Sequence, residues 1–388
     1  MVAPLDDIHS LRPLNWLLNK GCDVAFLSHF NPFPKGRKGY TFWRFPKPRG
    51  GGMFPKLLGE KIGAWFFRLS ELTTVLRLRI LWRRICPTLI HVHWVAEHAH
   101  YCVKAGLHPL VLTVWGSDIN SHFLPNADPA SRRRVSETLA GADLILIDSA
   151  DMHKKCAELA GRDVPTELFN LGLDTDRFRP GYTEAALEWR HKLSIPADAT
   201  VLLSMRGWSP LYRHESILEA FVQALPQLKS EAVLVFKILK RASMERALYE
   251  KNMRDLAEKL GVSQMVRWME EVPLDQLPEI YSFADVILNY PSMDAFPVTF
   301  LEAAACECPV ISCRLPAYAG TFAEEYFRLV SPDDPNELTD AIVEFLNHNC
   351  IVSRRRLSAL RQIVCRDYDE RIVSERLCNI YLNLLPKS

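Results

Sequence analysis

Short apolar runs alternate with helix-sized segments along most of this chain, and that alternation limits its fold more than any other feature. In the first half the runs are D-V-A-F-L-S (23–28), Y-T-F-W-R-F (40–45), L-I-H-V-H-W (89–94), L-V-L-T-V-W (110–115) and D-L-I-L-I-D (143–148). In the second half they are T-V-L-L-S-M-R (200–206), A-V-L-V-F-K-I (232–238), M-V-R-W-M (265–269), V-I-L-N-Y (286–290) and P-V-I-S-C (309–313). Runs of this kind, spaced too widely for hairpins, predict parallel strands with helices covering both faces of the sheet. At 388 residues the chain exceeds one ordinary core, so two doubly wound α/β domains are expected. The polar stretch Pro180–Ala199 is the natural linker between them.

The start of the chain departs from that pattern. Met1–Asp7 holds only a weak strand, and Ile8–Lys20 already reads as the first helix. Either the opening strand is short and irregular, or an apolar strand and a glycine-rich loop lie upstream. No apolar run is long enough to span a bilayer, and M-V-A-P-L-D-D-I-H lacks the layout of a signal peptide. The ten cysteines show no paired C-x-x-C spacing; Cys306, Cys308 and Cys313 flank an apolar helix and strand and read as small core filler. A reduced, cytoplasmic protein is expected. The net charge of +1 conceals an asymmetry. Lys35–Arg84 carries 13 basic residues against Glu60 and Glu71, a local excess of +11 that suggests an anionic partner.

One stretch concentrates the chemistry: S-M-D-A-F-P-V-T-F-L-E-A-A-A-C-E-C-P-V-I, with Asp294 and Glu302 on either side of Phe296-Pro297. Thr299-x-x-Glu302 fits a capping box, and Asp294 fits an ordinary turn. Ligands of open parallel sheets, however, bind beyond the carboxyl ends of the strands. Asp294 and Glu302 follow one strand, Trp115–Asp118 another, and Arg206 ends a third, so these residues are expected to line one cleft.

Several segments then resemble a known family. N-L-G-L-D-T-D-R-F-R-P (170–180) is similar to the interdomain signature of retaining nucleotide-sugar glycosyltransferases of family 4, which have the GT-B fold. D-A-F-P-V-T-F-L-E-A-A-A-C-E-C-P-V-I resembles their donor-site motif, two acids separated by seven residues. H-V-H-W (91–94), V-W-G-S-D (114–118), A-D-L-I-L-I-D-S-A (142–150) and the tail Y-D-E-R-I-V-S-E-R-L-C-N-I-Y (368–381) also fit. The resemblance implies two Rossmann-like domains facing across a cleft, residues 1–180 and 181–365, with a C-terminal helix in 366–388 crossing back to the first. There are departures. The first acid is Asp294 instead of the usual Glu, Trp115 stands where many relatives have His, and F-K-I-L-K (236–240) replaces a common glycine.

By this resemblance Arg206 and Arg213 would hold the donor's diphosphate, although Arg213 also reads as a solvated surface charge. Backbone N–H groups of Val298 and Thr299, at a helix start, would add anion binding beside Phe296 and Pro297. Glu302 would accept the ribose hydroxyls, and Asp294 would hold the transferred sugar. Gly116, Ser117 and Asp118 would face the sugar or acceptor. His93 reads either as a general base or as a core histidine. No cofactor beyond the nucleotide sugar as co-substrate, and no metal, is expected. Residues 54–84 place Leu58, Ile62, Trp65, Leu69, Leu72 and Leu76 on one helical face, followed by Arg77, Arg79, Arg83 and Arg84. That face suits an anionic membrane surface or, equally, burial on the sheet. With no recognised binding motif, nucleic acid is not expected. The expected activity is sugar transfer to a polysaccharide, lipid-linked or other glycan acceptor. A non-catalytic GT-B protein that binds a partner or nucleotide, and a nucleotide-sugar epimerase, are the alternatives.

Overall fold

A computed structural model describes residues 1–3, 8–28, 40–46, 60–238, 244–348 and 353–385, the side chains of residues 8, 9, 60–68 and 348 excepted. The chain divides into two compact units, Met1–Leu171 with Ser374–Ser388, and Gly172–Val373.

The first unit holds strands β1 (Val24–Ser28), β2 (Tyr40–Arg44), β3 (Ile90–His93), β4 (Leu110–Thr113), β5 (Leu144–Ile147) and β6 (Thr166–Leu168). β1 pairs with β2, and β3 to β6 pair in chain order, all in parallel. Val2 bridges the two sets, in parallel with Leu27 on one side and Val92 on the other. Its N–H donates to His91 O at 2.8 Å, and its carbonyl accepts from His93 N at 2.9 Å. The opening strand is therefore a single bridging residue, as short as its sequence suggests. Beside it, a cavity of about 530 Å³ is lined by Leu17, Val24, Leu78, Ile90 and Leu382. Local signals start and stop the helices. Asp128 caps Pro129–Ala140, Ser149 caps Ala150–Ala160, and Gly161 ends the latter at φ 68°.

The second unit is a six-stranded parallel sheet of β7 (Thr200–Ser204), β8 (Ala232–Lys237), β9 (Val266–Met269), β10 (Val286–Asn289), β11 (Val310–Cys313) and β12 (Arg328–Val330). Its order is β12-β11-β10-β7-β8-β9. The central strands are buried almost throughout, as expected where helices cover both faces. From β7 the chain winds outward through β8 and β9, then returns to β10 on the other side of β7. That reversal is the topological switch point, where an open α/β sheet leaves a crevice beyond its carboxyl edge.

Two features differ from expectation. The expected linker carries helix Thr183–Lys192 and belongs to the second unit, tied by Trp189 Nε1–Glu279 (2.9 Å) and Arg190 Nη2–Asp285 (3.1 Å). The units divide at Leu171/Gly172 instead. Just beyond it, Leu173 N donates to Tyr368 O and Glu370 N to Leu173 O, both at 2.9 Å. A Cβ on Gly172 would lie 2.8 Å from Glu370 Cα, so this pairing admits only glycine. The helix Glu370–Leu384 groups with the second unit through Val373 and with the first from Ser374 onward, the return that the resemblance implies. β6 and β12 were not expected; each is three residues long, too short for a periodic signal.

Candidate functional site

The switch point of the second unit brings Arg206 and Asp294 together. Arg206 lies just after β7 and Asp294 just after β10, neighbours in the sheet. Arg206 Nη2 donates to Asp294 Oδ1 at 2.8 Å, with side chains only 11% and 9% exposed. Tyr318 Oη donates to Asp294 Oδ2 at 3.0 Å, and Asn289 Nδ2 donates to Tyr318 Oη at 3.2 Å. Burial pushes the Asp294 carboxyl up, while Arg206, Tyr318 and the Ala295 N–H favour its ionised form. The Arg206 guanidinium also lies over the Tyr212 ring, 4.3 Å from its centroid. A buried ion pair fixed by two phenols and an amide is a rigid polar floor, with more bonds than a plain turn residue would need.

Glu302 answers the capping question differently from either simple reading. The helix starts at Val298 with Pro297 at its N-cap and no side-chain cap bond, so the Thr299/Glu302 capping box does not form. Glu302 lies inside the helix, 5% exposed, and its Oε2 accepts from Tyr281 Oη at 2.8 Å. Burial and Glu302 push the Tyr281 phenol well up, which keeps it a donor. A carboxylate buried this deeply is costly unless its bonds are made, so its place is specified by more than helix propensity. Val298 and Thr299, half-buried, form the first turn with their N–H groups at the helix N-terminus. Phe296 is a core residue. It packs against Phe322 at 5.4 Å and Phe300 at 5.9 Å, which fixes the turn but removes its ring from any ligand surface.

Arg213 is placed otherwise than a free phosphate ligand. It sits in the left-handed region at φ 46°, donates from Nη1 to Pro332 O at 2.6 Å, and lies over the Tyr290 ring. Lys237, the last residue of β8, has Glu302, Glu271 and Arg206 as its charged surroundings. Tyr318, Tyr281 and Lys237 were not picked out from sequence. The phenols are distant from their carboxylates along the chain, and Lys237 lay inside a run read only as a strand. The three cysteines are buried as core filler, Cys313 Sγ donating to Pro291 O at 3.0 Å.

In the first unit, Asp118 turns inward instead of towards a sugar. Its Oδ2 accepts from Val95 N at 2.9 Å and its Oδ1 from Trp115 N at 3.0 Å, and it is 4% exposed. It thus clamps the loops that follow β3 and β4. Gly116, at φ 98°, permits the turn, and Ser117 beside it is exposed. His93 is 1% exposed, packed between His91 (4.2 Å) and Trp115 (5.9 Å), with its carbonyl accepting from His98 Nε2. His91 bonds Thr113 Oγ1 at 2.6 Å and Tyr381 Oη at 2.5 Å.

Burial pushes His91 down to about 3 and His214 down to about 4. At these two side chains the unfolded state therefore binds more protons than the folded one at any pH between these values and about 6.5. Their contribution is complete above that point and fades as the pH falls, by about 1.4 kcal/mol per pH unit per histidine. Melting temperature is expected to fall steadily below pH 6.5, with His214→Gln flattening part of the decline. A melting temperature unchanged down to pH 4.5 would contradict this account.

Comparison with known proteins follows the same division. Residues 1–149 match the family described as glycosyl transferase 4-like, and residues 186–359 match glycosyl transferases group 1. D-inositol 3-phosphate glycosyltransferase 2 of Catenulispora acidiphila is 25% identical over 269 residues, covering 64% of this chain and 62% of its own length. D-inositol 3-phosphate glycosyltransferase of Streptosporangium roseum is 29% identical over 289 residues, covering 71% and 65%. The chain thus spans just under two thirds of these relatives. Among solved structures, Anabaena HepE in complex with UDP superposes with a TM-score of 0.73 at 15% identity, covering 99% of both chains. Sucrose-phosphate synthase from Thermosynechococcus elongatus gives 0.76 at 16% identity, covering 99% of this chain and 98% of its own. These two share the fold.

Proposed function

The chain belongs to the nucleotide-sugar glycosyltransferases of the GT-B fold, and from that premise we propose that it is a retaining enzyme that moves a sugar from a nucleotide-sugar donor to a glycan or lipid-linked acceptor. The observation that carries this reading is the Arg206–Asp294–Tyr318 group at the switch point, with Glu302 and Tyr281 behind it. As the sugar leaves, negative charge grows on the diphosphate. Fixed cations and helix N–H groups that meet that charge stabilise the transition state more than the ground state. Arg206 and the N–H groups of Val298 and Thr299 are assigned this task. Glu302 accepts the ribose hydroxyls while Tyr281 fixes its carboxylate. Asp294, held from two sides, orients the sugar hydroxyls.

A panel of nucleotide sugars screened by thermal melting tests the reading, since a ligand bound by the folded state raises stability by RT ln(1 + [L]/Kd). One donor is expected to stabilise the protein, and with acceptor to release its nucleotide and give a product of unchanged anomeric configuration. No stabilisation by any nucleotide sugar would sink the proposal. A second reading, a binding protein without turnover, draws on the closed Arg206–Asp294 pair, which already commits the best-placed cation. Stabilisation without nucleotide release, across a range of acceptors, would favour it.

We further propose that the acceptor lies at an anionic lipid surface. On the helix Glu60–Ile85, Ser70, Thr74 and Leu78 are buried, while Leu69, Leu72, Leu76 and Ile80 are 44–66% exposed. The described part of the apolar stripe, Leu69, Leu72 and Leu76, is thus exposed. Leu58, Ile62 and Trp65 lie outside the described side chains. Arg77 and Arg83 flank the exposed stripe; Arg79 instead donates to Ala105 O at 3.0 Å, and Arg84 lies over Trp43. Apolar residues edged by arginines match an anionic bilayer surface. No helix among the described residues is long and apolar enough to cross a membrane. Sedimentation with vesicles containing phosphatidylserine is expected at low salt and should weaken as salt rises. Arg77→Gln with Arg83→Gln should weaken it about thirtyfold, at about 1 kcal/mol for each arginine near the surface. Absence of vesicle binding at low salt would remove the lipid surface from the proposal.

A further inference from the structure

The geometry points to Lys237 as a second cation that meets the donor's diphosphate beside Arg206; this rests on the donor-binding reading above and adds a residue that reading does not use. Lys237 closes β8, the strand next to β7, so its side chain leaves the sheet at the same carboxyl edge as Arg206. Among the described residues, Arg206 and Arg213 already have partners at this edge. Arg206 is paired with Asp294 at 2.8 Å, and Arg213 with the carbonyl of Pro332 at 2.6 Å. The Lys237 side chain makes no hydrogen bond and no ion pair within 4 Å among the described residues, although it is half-buried. Burial pushes its ammonium down, Glu302 and Glu271 draw it back up, and Arg206 adds to the lowering. It is therefore a partly desolvated charge with donors to spare, within electrostatic reach of the carboxylate assigned to the ribose. A ribose on Glu302 carries its 5′-diphosphate a few bonds away, within the surroundings that Lys237 shares with Arg206. Anionic oxygens arriving there would supply the direct partners the ammonium lacks.

Such a role separates phosphate from nucleoside. Calorimetric titration would compare UDP, GDP and ADP, each with its own nucleoside, on the wild-type chain and on Lys237→Met and Lys237→Arg. For the diphosphate that binds, Lys237→Met is expected to weaken affinity about tenfold or more and to flatten its salt dependence. The matching nucleoside should bind wild type and Lys237→Met alike, and Lys237→Arg should keep most of the diphosphate affinity. The melting temperature of Lys237→Met without ligand should not fall, since the substitution removes a desolvated charge. Equal diphosphate affinity in wild type and Lys237→Met would overturn the inference and leave the donor site standing. So would an equal loss for diphosphate and nucleoside, which would mean that Lys237 acts only through Glu302. Failure of the wild-type chain to bind any of the three diphosphates would overturn the donor reading itself, and this inference with it.

Discussion

Asp294→Asn is expected to destabilise the second unit by about 3 kcal/mol, the lower end of the cost of removing one partner of a buried ion pair. Arg206 would keep its charge at a site where its side chain is 11% exposed, and an amide oxygen would replace the carboxylate that neutralises it. Tyr318 Oη would also lose its charged acceptor, although Asn289 still donates to it. The lower figure applies because Asn retains an acceptor oxygen for one of the two donors, which bond different oxygens of Asp294. Arg206→Met should cost a similar amount by leaving Asp294 uncompensated. The double variant should recover much of either loss, because paired residues are coupled and not additive. Denaturant unfolding reads all three. An Asp294→Asn variant within about 0.5 kcal/mol of wild type, the range of an ordinary surface change, would mean that the pair is open in solution.

Glu302→Gln should leave the fold intact and weaken donor binding roughly 10- to 150-fold. The amide oxygen can still accept from Tyr281 Oη, which now does so at 2.8 Å, so the packing inside the helix Val298–Ala305 has little reason to change. What disappears is the charge. A charge-assisted bond contributes about 1.5–3 kcal/mol, which sets the size of the expected loss. Had Glu302 been the capping residue suggested by Thr299-x-x-Glu302, Gln would serve there nearly as well. With the helix starting at Val298 that explanation is gone, and donor affinity is what remains to be measured. Calorimetry with the donor found in the melting screen gives the number; unchanged affinity in a folded Glu302→Gln would leave its buried carboxylate without a ligand role.

Much of this was legible from sequence because strand ends are. Arg206, Asp294 and Glu302 stand out once β7 and β10 are located, and both strands are apolar runs with no competing pattern. Their partners were hidden. Tyr318 reaches Asp294 across 24 residues, and Tyr281 reaches Glu302 across 21, through contacts that only the folded sheet creates. Asp118 looked like a ligand residue for the same reason that makes it structural: a carboxylate after a glycine at a strand end can face a substrate or satisfy N–H groups of its own loops. The close approach of Gly172 to Glu370, just beyond the division, was hidden because the two lie almost two hundred residues apart in sequence. The apolar stripe on Glu60–Ile85 was visible, but its destination was not, since periodicity does not say which face the protein covers.

The most direct test of the central claim, that a nucleotide-sugar donor is held at the switch point of the second unit, is hydrogen–deuterium exchange with and without a saturating donor. Backbone amides at the N-terminus of Val298–Ala305 and in the turns after β7 and β10 should exchange more slowly when the donor is bound, because it satisfies N–H groups and closes solvent access there. Peptides covering 204–214 and 290–303 are the ones to watch. Protection of both would support the site as built from Arg206, Asp294 and Glu302. Protection that spares both peptides, with the donor demonstrably bound, would contradict it.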